Sequence, residues 1–405
     1  MCRNSTTGIT AVKALQQGPF PNEIVALVVG HLWNSPRAVR ACTLACHAWY
    51  AAGRPYIYSR IVLSNGDKFD SLVSFLRSPN VRFNVIKHWI RELHVRTPHP
   101  SNAGLWWSTG CPYWVLRLSA ALPSLLPRLS VLRFEHQNFD SEWLSRFMVH
   151  LSKFISVREL VIANTRLELG MLQSLASVMP NVRTLRLVNA TIIDSQQTFS
   201  PMAIQNKPQF TILYVESVRD NTSSENGFIS WIRTWDTVQT LAMDENHRLM
   251  PALLGTFGPF INHFRLIVRD KAKWVDGGTQ ASNKISLWYT TTGLALSHVR
   301  TLEFFDVLDP TLVLWLRHLP SPGLLEKIVF RISFNRPREL KSEAYETLDE
   351  CLANSNLSGL REIRFLYEGT LAVDLVSKEI QRVFPKAHCR GFLQIFMADP
   401  EEKLL

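Results

Sequence analysis

A short apolar triplet recurs along most of the chain, usually with a polar or basic residue just before it. It reads Ile90-Arg-Glu-Leu93-His-Val95, Leu129-Ser-Val-Leu132-Arg-Phe134, Val157-Arg-Glu-Leu160-Val-Ile162 and Val182-Arg-Thr-Leu185-Arg-Leu187. Further copies are Phe210-Thr-Ile-Leu213-Tyr-Val215, Val238-Gln-Thr-Leu241-Ala-Met243, Phe264-Arg-Leu266, Val299-Arg-Thr-Leu302-Glu-Phe304, Leu325-Glu-Lys-Ile328-Val-Phe330 and Leu360-Arg-Glu-Ile363-Arg-Phe365. Alternation over so few residues predicts a strand with one buried face. The central copies lie about 25–28 residues apart, a spacing typical of stacked structural repeats. Between them the apolar period becomes helical. Trp143, Leu144, Phe147, Leu151 and Phe154 keep that period within Ser141 to Phe154, and Leu169 to Val178, Thr311 to Leu319 and Arg338 to Ala353 are further cases. Strands alternating with helices predict a parallel sheet with helices outside it. A unit that cannot bury itself singly gains its core by stacking on its neighbours.

The N-terminal pattern is different. Ile24, Val25, Leu27, Val28, Val29, Leu32 and Trp33 cover roughly 240° of a helical wheel, against ~100–140° for an ordinary surface helix. A helix that apolar needs two burial surfaces. Pro21 suits its first turn, and Ser35-Pro36 reads as the cap and first turn of a second helix. Arg37 to Ala52 is alanine-rich, which suits close helix–helix approach. A break near Cys46 would divide it, and Gly53 is the expected terminator. A unit of about 45 residues is too small to hold a core alone. One face is therefore expected to pack on the rest of the chain, and the other to meet a partner.

The order of residues in this stretch carries a resemblance. Phe20-Pro21-x-Glu23-Ile24 opens it, His31-Leu32 follows, then Leu44-Ala45-Cys46-x-x-Trp49 and Arg54-Pro55-Tyr56-Ile57-Tyr58. The set resembles the F-box, with Phe20 in place of the usual leucine and Ala45 in place of the usual valine. The resemblance implies a surface for the Skp adaptor subunit of a Skp–cullin–F-box ubiquitin ligase, formed or supported by Pro21, Ile24, Val28, Leu32, Leu44, Cys46 and Trp49. The repeated half is similar to irregular leucine-rich repeats. Asn246 holds the family's asparagine position five residues after Leu241, whereas Asn164 and Asn189 sit one place early. The implied fold class is α/β, with a small helical F-box followed by a leucine-rich-repeat-like solenoid bearing its parallel sheet on the concave side. The expected parts are a tail over 1–17, the helical module over 18–60, the solenoid over 61–397 and a second tail over 398–405. Insertions are expected at Thr97 to Ser119, with Trp106, Trp107 and Trp114, and at Asp270 to Lys284. Val373 to Phe384 reads as a last helix and Gly391 to Phe396 as a last strand.

Composition changes this picture little. The 405 residues are 46% hydrophobic and 19% charged, ordinary for a globular protein with a large core. No apolar run approaches the ~20 residues of a membrane span, and Met1 to Gln17 lacks the apolar centre of a secretory signal. The six cysteines are scattered and read as reduced thiols, which with the missing signal points to the cytoplasm or nucleus. The net charge of +10 favours acidic partners or nucleic acid. The basic residues are dispersed, however, and no nucleic-acid-binding motif is found, which disfavours nucleic acid.

No catalytic set stands out, no cofactor motif is found, and Cys42, Cys46 and His47 lack a fourth metal ligand. The expected function is thus that of a non-catalytic adaptor, bound to the Skp subunit and through it to a cullin, with the solenoid holding a protein target. In such a solenoid the middle residue of each triplet faces the concave side. Arg133, Arg186, Arg265 and Arg364 hold that position and suit an acidic target. Equally, they would serve only to keep the sheet soluble. The alternative for the whole chain is a binding scaffold outside ubiquitin transfer, its helical module packed only internally.

Overall fold

The computed structural model describes residues 20–32, 35–97, 113–137, 147–194, 208–222, 227–244, 249–267, 296, 298–305, 316, 324–333, 342–353, 357–368 and 371–397. Trp33, Trp106, Trp107, Asn246, the Asp270 to Lys284 segment, Thr311 to Leu319 apart from Leu316, and both tails lie outside these residues.

The chain forms a mixed α/β structure built on a large parallel sheet. Among the described residues three helices come first, α1 (Asn22–His31), α2 (Pro36–Thr43) and α3 (His47–Ile57). Then follow β1 (Arg60–Leu63), α4 (Gly66–Arg77), α5 (Val81–Lys87), β2 (Glu92–Arg96), α6 (Tyr113–Ala121), β3 (Val131–Glu135) and β4 (Glu159–Ala163). The central part holds β5 (Arg166–Glu168), α7 (Leu169–Val178), β6 (Thr184–Val188), β7 (Thr191–Ile193), β8 (Ile212–Glu216), β9 (Arg219–Asn221), α8 (Phe228–Ile232) and β10 (Thr240–Asp244). The remainder is α9 (Met250–Phe257), β11 (His263–Ile267), β12 (Thr301–Phe305), β13 (Lys327–Ser333), α10 (Ser342–Leu352), β14 (Glu362–Glu368), α11 (Val373–Val383), α12 (Pro385–Cys389) and β15 (Leu393–Met397).

Every recurrent triplet falls in a strand of one 12-stranded sheet, ordered β1-β2-β3-β4-β6-β8-β10-β11-β12-β13-β14-β15. Each strand is thus added beside the preceding one, always in parallel. The alternation explains the register. A one-residue slip would turn a whole apolar set to the other face. As it stands, Leu93, Leu132, Leu160, Leu185, Leu213, Leu241, Phe264, Leu302, Ile328 and Ile363 form one buried row, and Val95 to Phe365 form a second two residues further along each strand. Phe304, Phe330 and Phe365 stack in that second row with ring centroids 5.5 and 5.1 Å apart. Such offset stacking adds to the burial of each ring. α7 closes the core with Leu169, Met171, Leu172 and Leu175. Trp114, expected in an insertion, lies in α6 and packs on Phe69 with centroids 6.2 Å apart.

A second sheet of three short parallel strands, β5-β7-β9, follows from one repeated turn. His136, Asn164, Asn189 and Ser217, each the residue after a long strand, have φ of 55°, 50°, 48° and 51°. Asparagine tolerates this left-handed region better than most residues. That explains why Asn164 and Asn189 sit one place early. They turn the strand end, and they carry side-chain bonds across the sheet. Asn189 Nδ2 donates to Asn164 Oδ1 at 2.8 Å, and Asn164 Nδ2 donates to Glu135 Oε1 at 2.9 Å. No helix among the described residues is long and apolar enough to cross a membrane.

Candidate functional site: an apolar helix face and a charged sheet face

The three N-terminal helices form a small core of their own. Val25, Val29 and Val39 are buried in it, with Leu32, Cys42, Trp49, Ala52, Tyr56 and Ile57 packed around them. α1 is not the helix that the module turns toward the rest of the chain. The inner face of α1 meets α2 and α3 instead. Contact with the sheet half comes from α3, where Arg54 lies 5.1 Å from the Trp89 ring and Tyr58 stacks on Trp89 at 6.4 Å.

Two local expectations need correction. Pro21 caps α1 rather than opening it. Its ψ of 146° is extended, although its carbonyl still accepts from Val25 N at 3.1 Å. Gly53 does not end a helix; it is buried inside α3. A Cβ there would run into Thr43 Cγ2 and lie 3.4 Å from Val39 Cγ1. The glycine lets α2 and α3 approach closely, so its role is contact and not termination.

The outer side of the wide apolar arc stays in solvent. Phe20, Ile24, Val28 and Tyr50 are exposed, Leu27 is 60% exposed, and Leu44, at the end of α2, is 87% exposed. Scattered exposed apolar residues are normal; several large ones close in sequence on one small unit are not. Of the residues expected at a partner surface, Pro21, Ile24, Val28 and Leu44 are exposed and Leu32 and Cys46 are partly so. Trp49 packs on the small core and supports the surface from beneath. Cys42 lies on α2, Cys46 caps α3 and His47 begins it, so the three do not share one helix. Among the described residues no group of three or more His, Cys, Asp or Glu could hold a metal ion.

The second candidate is the sheet face opposite the apolar rows. The middle residues form one continuous line, Val62, His94, Arg133, Val161, Arg186, Tyr214, Ala242, Arg265, Glu303, Val329, Arg364 and Gln394. Neighbours in such a line are ~4.8 Å apart. Arg133 and Arg186 flank Val161, whereas Arg265 and Arg364 lie further along with Glu303 and Val329 between them. The four arginines are therefore on one face, as two separate pairs.

They do not form a bare positive strip. Arg186 Nη1 bonds Glu159 Oε1 at 3.2 Å and its guanidinium lies 4.4 Å over the Tyr214 ring. Arg364 donates through Nε and Nη2 to Glu362 Oε1 at 2.9 and 2.7 Å, and lies 5.0 Å over Phe396. Arg133 Nε is 3.9 Å from Glu135 Oε2. Arg265 is the most committed: its Nε is 2.6 Å from Glu303 Oε2, which also meets His263 Nε2 at 3.0 Å, while Arg331 Nε donates to Glu303 Oε1 at 2.5 Å. Burial pushes the Glu303 carboxyl up, but the His263 bond and the two arginines outweigh it and hold the group at about 2. Burial dominates at Glu159, raising its carboxyl despite Arg186. Burial, with Arg133 beside it, lowers His94 against the opposing pull of Glu135, which favours a neutral ring at neutral pH.

Glu303 is itself a middle residue of its triplet; Glu135, Glu159 and Glu362 lie two places away from theirs and so fall outside the triplet pattern. Arg133-x-Glu135, Tyr214-x-Glu216 and Glu362-x-Arg364 share period-two spacing, which puts both members on one face. Both charged clusters are internally paired, and beside Arg186 the Tyr214 hydroxyl donates to Glu216 Oε2 at 2.7 Å. The chain matches no known family model and no curated protein sequence.

Proposed function

We propose that this protein is a non-catalytic substrate adaptor of a Skp–cullin–F-box ubiquitin ligase. α1 to α3 act as the F-box and hold the Skp subunit. The long sheet acts as the inner wall of a leucine-rich-repeat-like solenoid and holds the target. The observation that carries the reading is the split of α1: Val25 and Val29 are buried, while Ile24, Leu27 and Val28 stand outside, in the residue order that resembles an F-box. Strands added one after another in parallel support the solenoid half of the reading. The adaptor contributes proximity. A tethered target meets charged ubiquitin carrier at a raised effective concentration, so the adaptor itself needs no nucleophile. Target contact falls to the sheet face, where Arg133, Arg186 and Arg364 keep part of their surface and Arg265 lends its charge from deeper in.

The test is capture of a purified Skp subunit by the full chain and by an Ile24→Ala, Val28→Ala variant. Truncating central apolar anchors costs ~2 kcal/mol or more, about thirtyfold in affinity. Equal capture by a folded variant would refute the assignment and favour the internally packed scaffold.

A further inference from the structure

The turns that lead into β3, β4 and β6 are copies of one another. Leu129 N donates to Leu126 O at 3.3 Å, Val157 N to Phe154 O at 3.2 Å and Val182 N to Met179 O at 3.3 Å. Each closes a four-residue turn whose second residue is Pro127, Ile155 or Pro180. Proline is favoured there because its fixed φ suits the turn. The turns also stack in register. Ser130 N donates to Arg91 O, Arg158 N to Ser130 O and Arg183 N to Arg158 O, each at 2.8 Å, and Asn181 Nδ2 donates to Ile155 O at 2.8 Å. Pro127 and Pro180 are exposed, and Ile155 is 66% exposed. The three form a short apolar strip along this end of the sheet, in steps of ~4.8 Å.

The charge beside the strip has one sign. Residues 84–91, 122–130, 150–158 and 176–183 hold Lys87, Arg91, Arg128, Lys153, Arg158 and Arg183 and no aspartate or glutamate. None of the six makes an ion pair among the described residues. Lys87 Nζ donates to Asn84 Oδ1, Arg158 Nη1 to Asn181 O and Arg183 Nη1 to Gln209 Oε1, all neutral acceptors. Glu92 and Glu159, which follow Arg91 and Arg158 in sequence, pair instead with Arg60 and Arg186 on the sheet face. The pattern stops further along the chain. Asp236 enters the segment before β10, and Arg300, before β12, is bonded to Glu326 Oε1 at 3.2 Å.

We propose that this turn edge, from β2 to β6, is a docking site for an acidic amphipathic helix of a partner protein. Two steps of the strip span ~9.6 Å. Two turns of a helix rise ~10.8 Å, whereas two same-side steps of an extended chain span ~13 Å. One apolar side chain per helical turn meets Pro127, Ile155 and Pro180 in order, and carboxylates beside them reach Arg128, Lys153, Arg158 and Arg183. A nucleic acid fits less well, because these segments offer no free aromatic face for base stacking. Phe154 is buried, and Trp89 already meets Tyr58 and Arg54. The inference goes beyond the adaptor reading and stands without it, and its test involves no Skp subunit.

The experiment is fluorescence anisotropy of the full chain with a labelled peptide of alanine, glutamate and leucine, its leucines at i, i+4 spacing on one helical face. Companion peptides have the same composition with the leucines spread round the helix, or lysine in place of glutamate. The expected result is binding of the parent peptide that weakens with salt, a loss of about tenfold with the spread leucines, and no binding of the lysine peptide. Arg128→Glu combined with Lys153→Glu weakens the parent peptide about tenfold, as for two exposed ion pairs. Ile155→Ala weakens it about fivefold through lost apolar burial. All three side chains are exposed, so both variants should melt as wild type does. Absent binding, equal binding of the spread or lysine peptide, or binding unchanged in both variants each overturns the proposal. A single-stranded oligonucleotide that binds more tightly than the parent peptide, with Ile155→Ala making no difference, assigns the edge to nucleic acid and also overturns it.

Discussion

Replacing Glu303 by glutamine tests whether the charged cluster on the sheet is as tightly coupled as its geometry implies. The carboxyl falls from its ordinary 4.5 to about 2 in the folded chain, and the residue is only 3% exposed. At ~1.36 kcal/mol per pH unit, the ionised group contributes about 3 kcal/mol at neutral pH. The sign follows from the lowered value. The contribution is fully present above pH 4.5 and is lost as pH falls through about 2. At pH 3 about 1.4 kcal/mol remains, by the same linkage. Glu303→Gln keeps the shape but leaves Arg265, Arg331 and His263 facing a neutral amide. Urea unfolding at pH 7 and pH 3, followed by tryptophan fluorescence, reads the difference. Wild type should lead the variant by about 2 kcal/mol more at pH 7 than at pH 3. An equal lead at both values would refute the coupling, and the variant's loss would then be one of packing alone.

Gly53→Ala should destabilise the helical module by ~1–3 kcal/mol through overpacking against Thr43. Thr43→Ser, which removes Cγ2 and keeps the hydroxyl bond to Arg40 O at 2.8 Å, should restore part of that loss in a thermal melt. Asn164→Ala should cost ~1–3 kcal/mol by stranding Asn189 and Glu135, and Asn164→Gly should cost less because it tolerates the φ of 50°. Val25→Ala, inside the small core, should lower the melting temperature, whereas Leu27→Ala on the outer face should leave stability within ~0.5 kcal/mol.

The strands were legible because Leu160-Val-Ile162 and its relatives obey a period that only a sheet buries well, and their recurrence along the chain, despite uneven spacing, matches the order of pairing. Leu169 to Val178 matched its helix for the same reason: Leu172 and Leu175 repeat on one face. Gly53 was misread because a glycine after a helical run has two uses, termination and close approach, and sequence alone does not show Thr43 across the gap. Asn164 and Asn189 appeared as imperfect copies of a repeat pattern. Their left-handed backbone shows that they serve the turn itself. The carboxylates of the sheet face were hidden by a different limit. Glu159 meets Arg186 from the neighbouring strand, a pairing that depends on register and not on distance along the chain.

The two apolar cores are separate, and that bears on how the proposed adaptor would work. Val25, Val29 and Val39 form a cluster that shares no buried residue with the core beneath the sheet. Between them, α3 runs into β1, and Ser59 O accepts from the backbone N–H groups of Arg91 and Glu92 at 2.8 and 2.9 Å. Arg54 and Tyr58 lie on Trp89 just above this junction. Covalent continuity, the Ser59 carbonyl bonds and the contacts of Arg54 and Tyr58 with Trp89 all join the module to the first strand pair. A link of this kind fixes direction better than it transmits strain, because neither core must repack when the other is perturbed. Substitutions at Ile24 or Val28 should therefore add to those at Arg133 or Arg364, the first pair changing adaptor capture and the second target capture. Loss of the Trp89 platform is the exception, since it would disturb the angle between the surfaces while leaving each intact. Capture of either partner alone would then persist, and ubiquitin transfer, which needs both at a set separation, would fall.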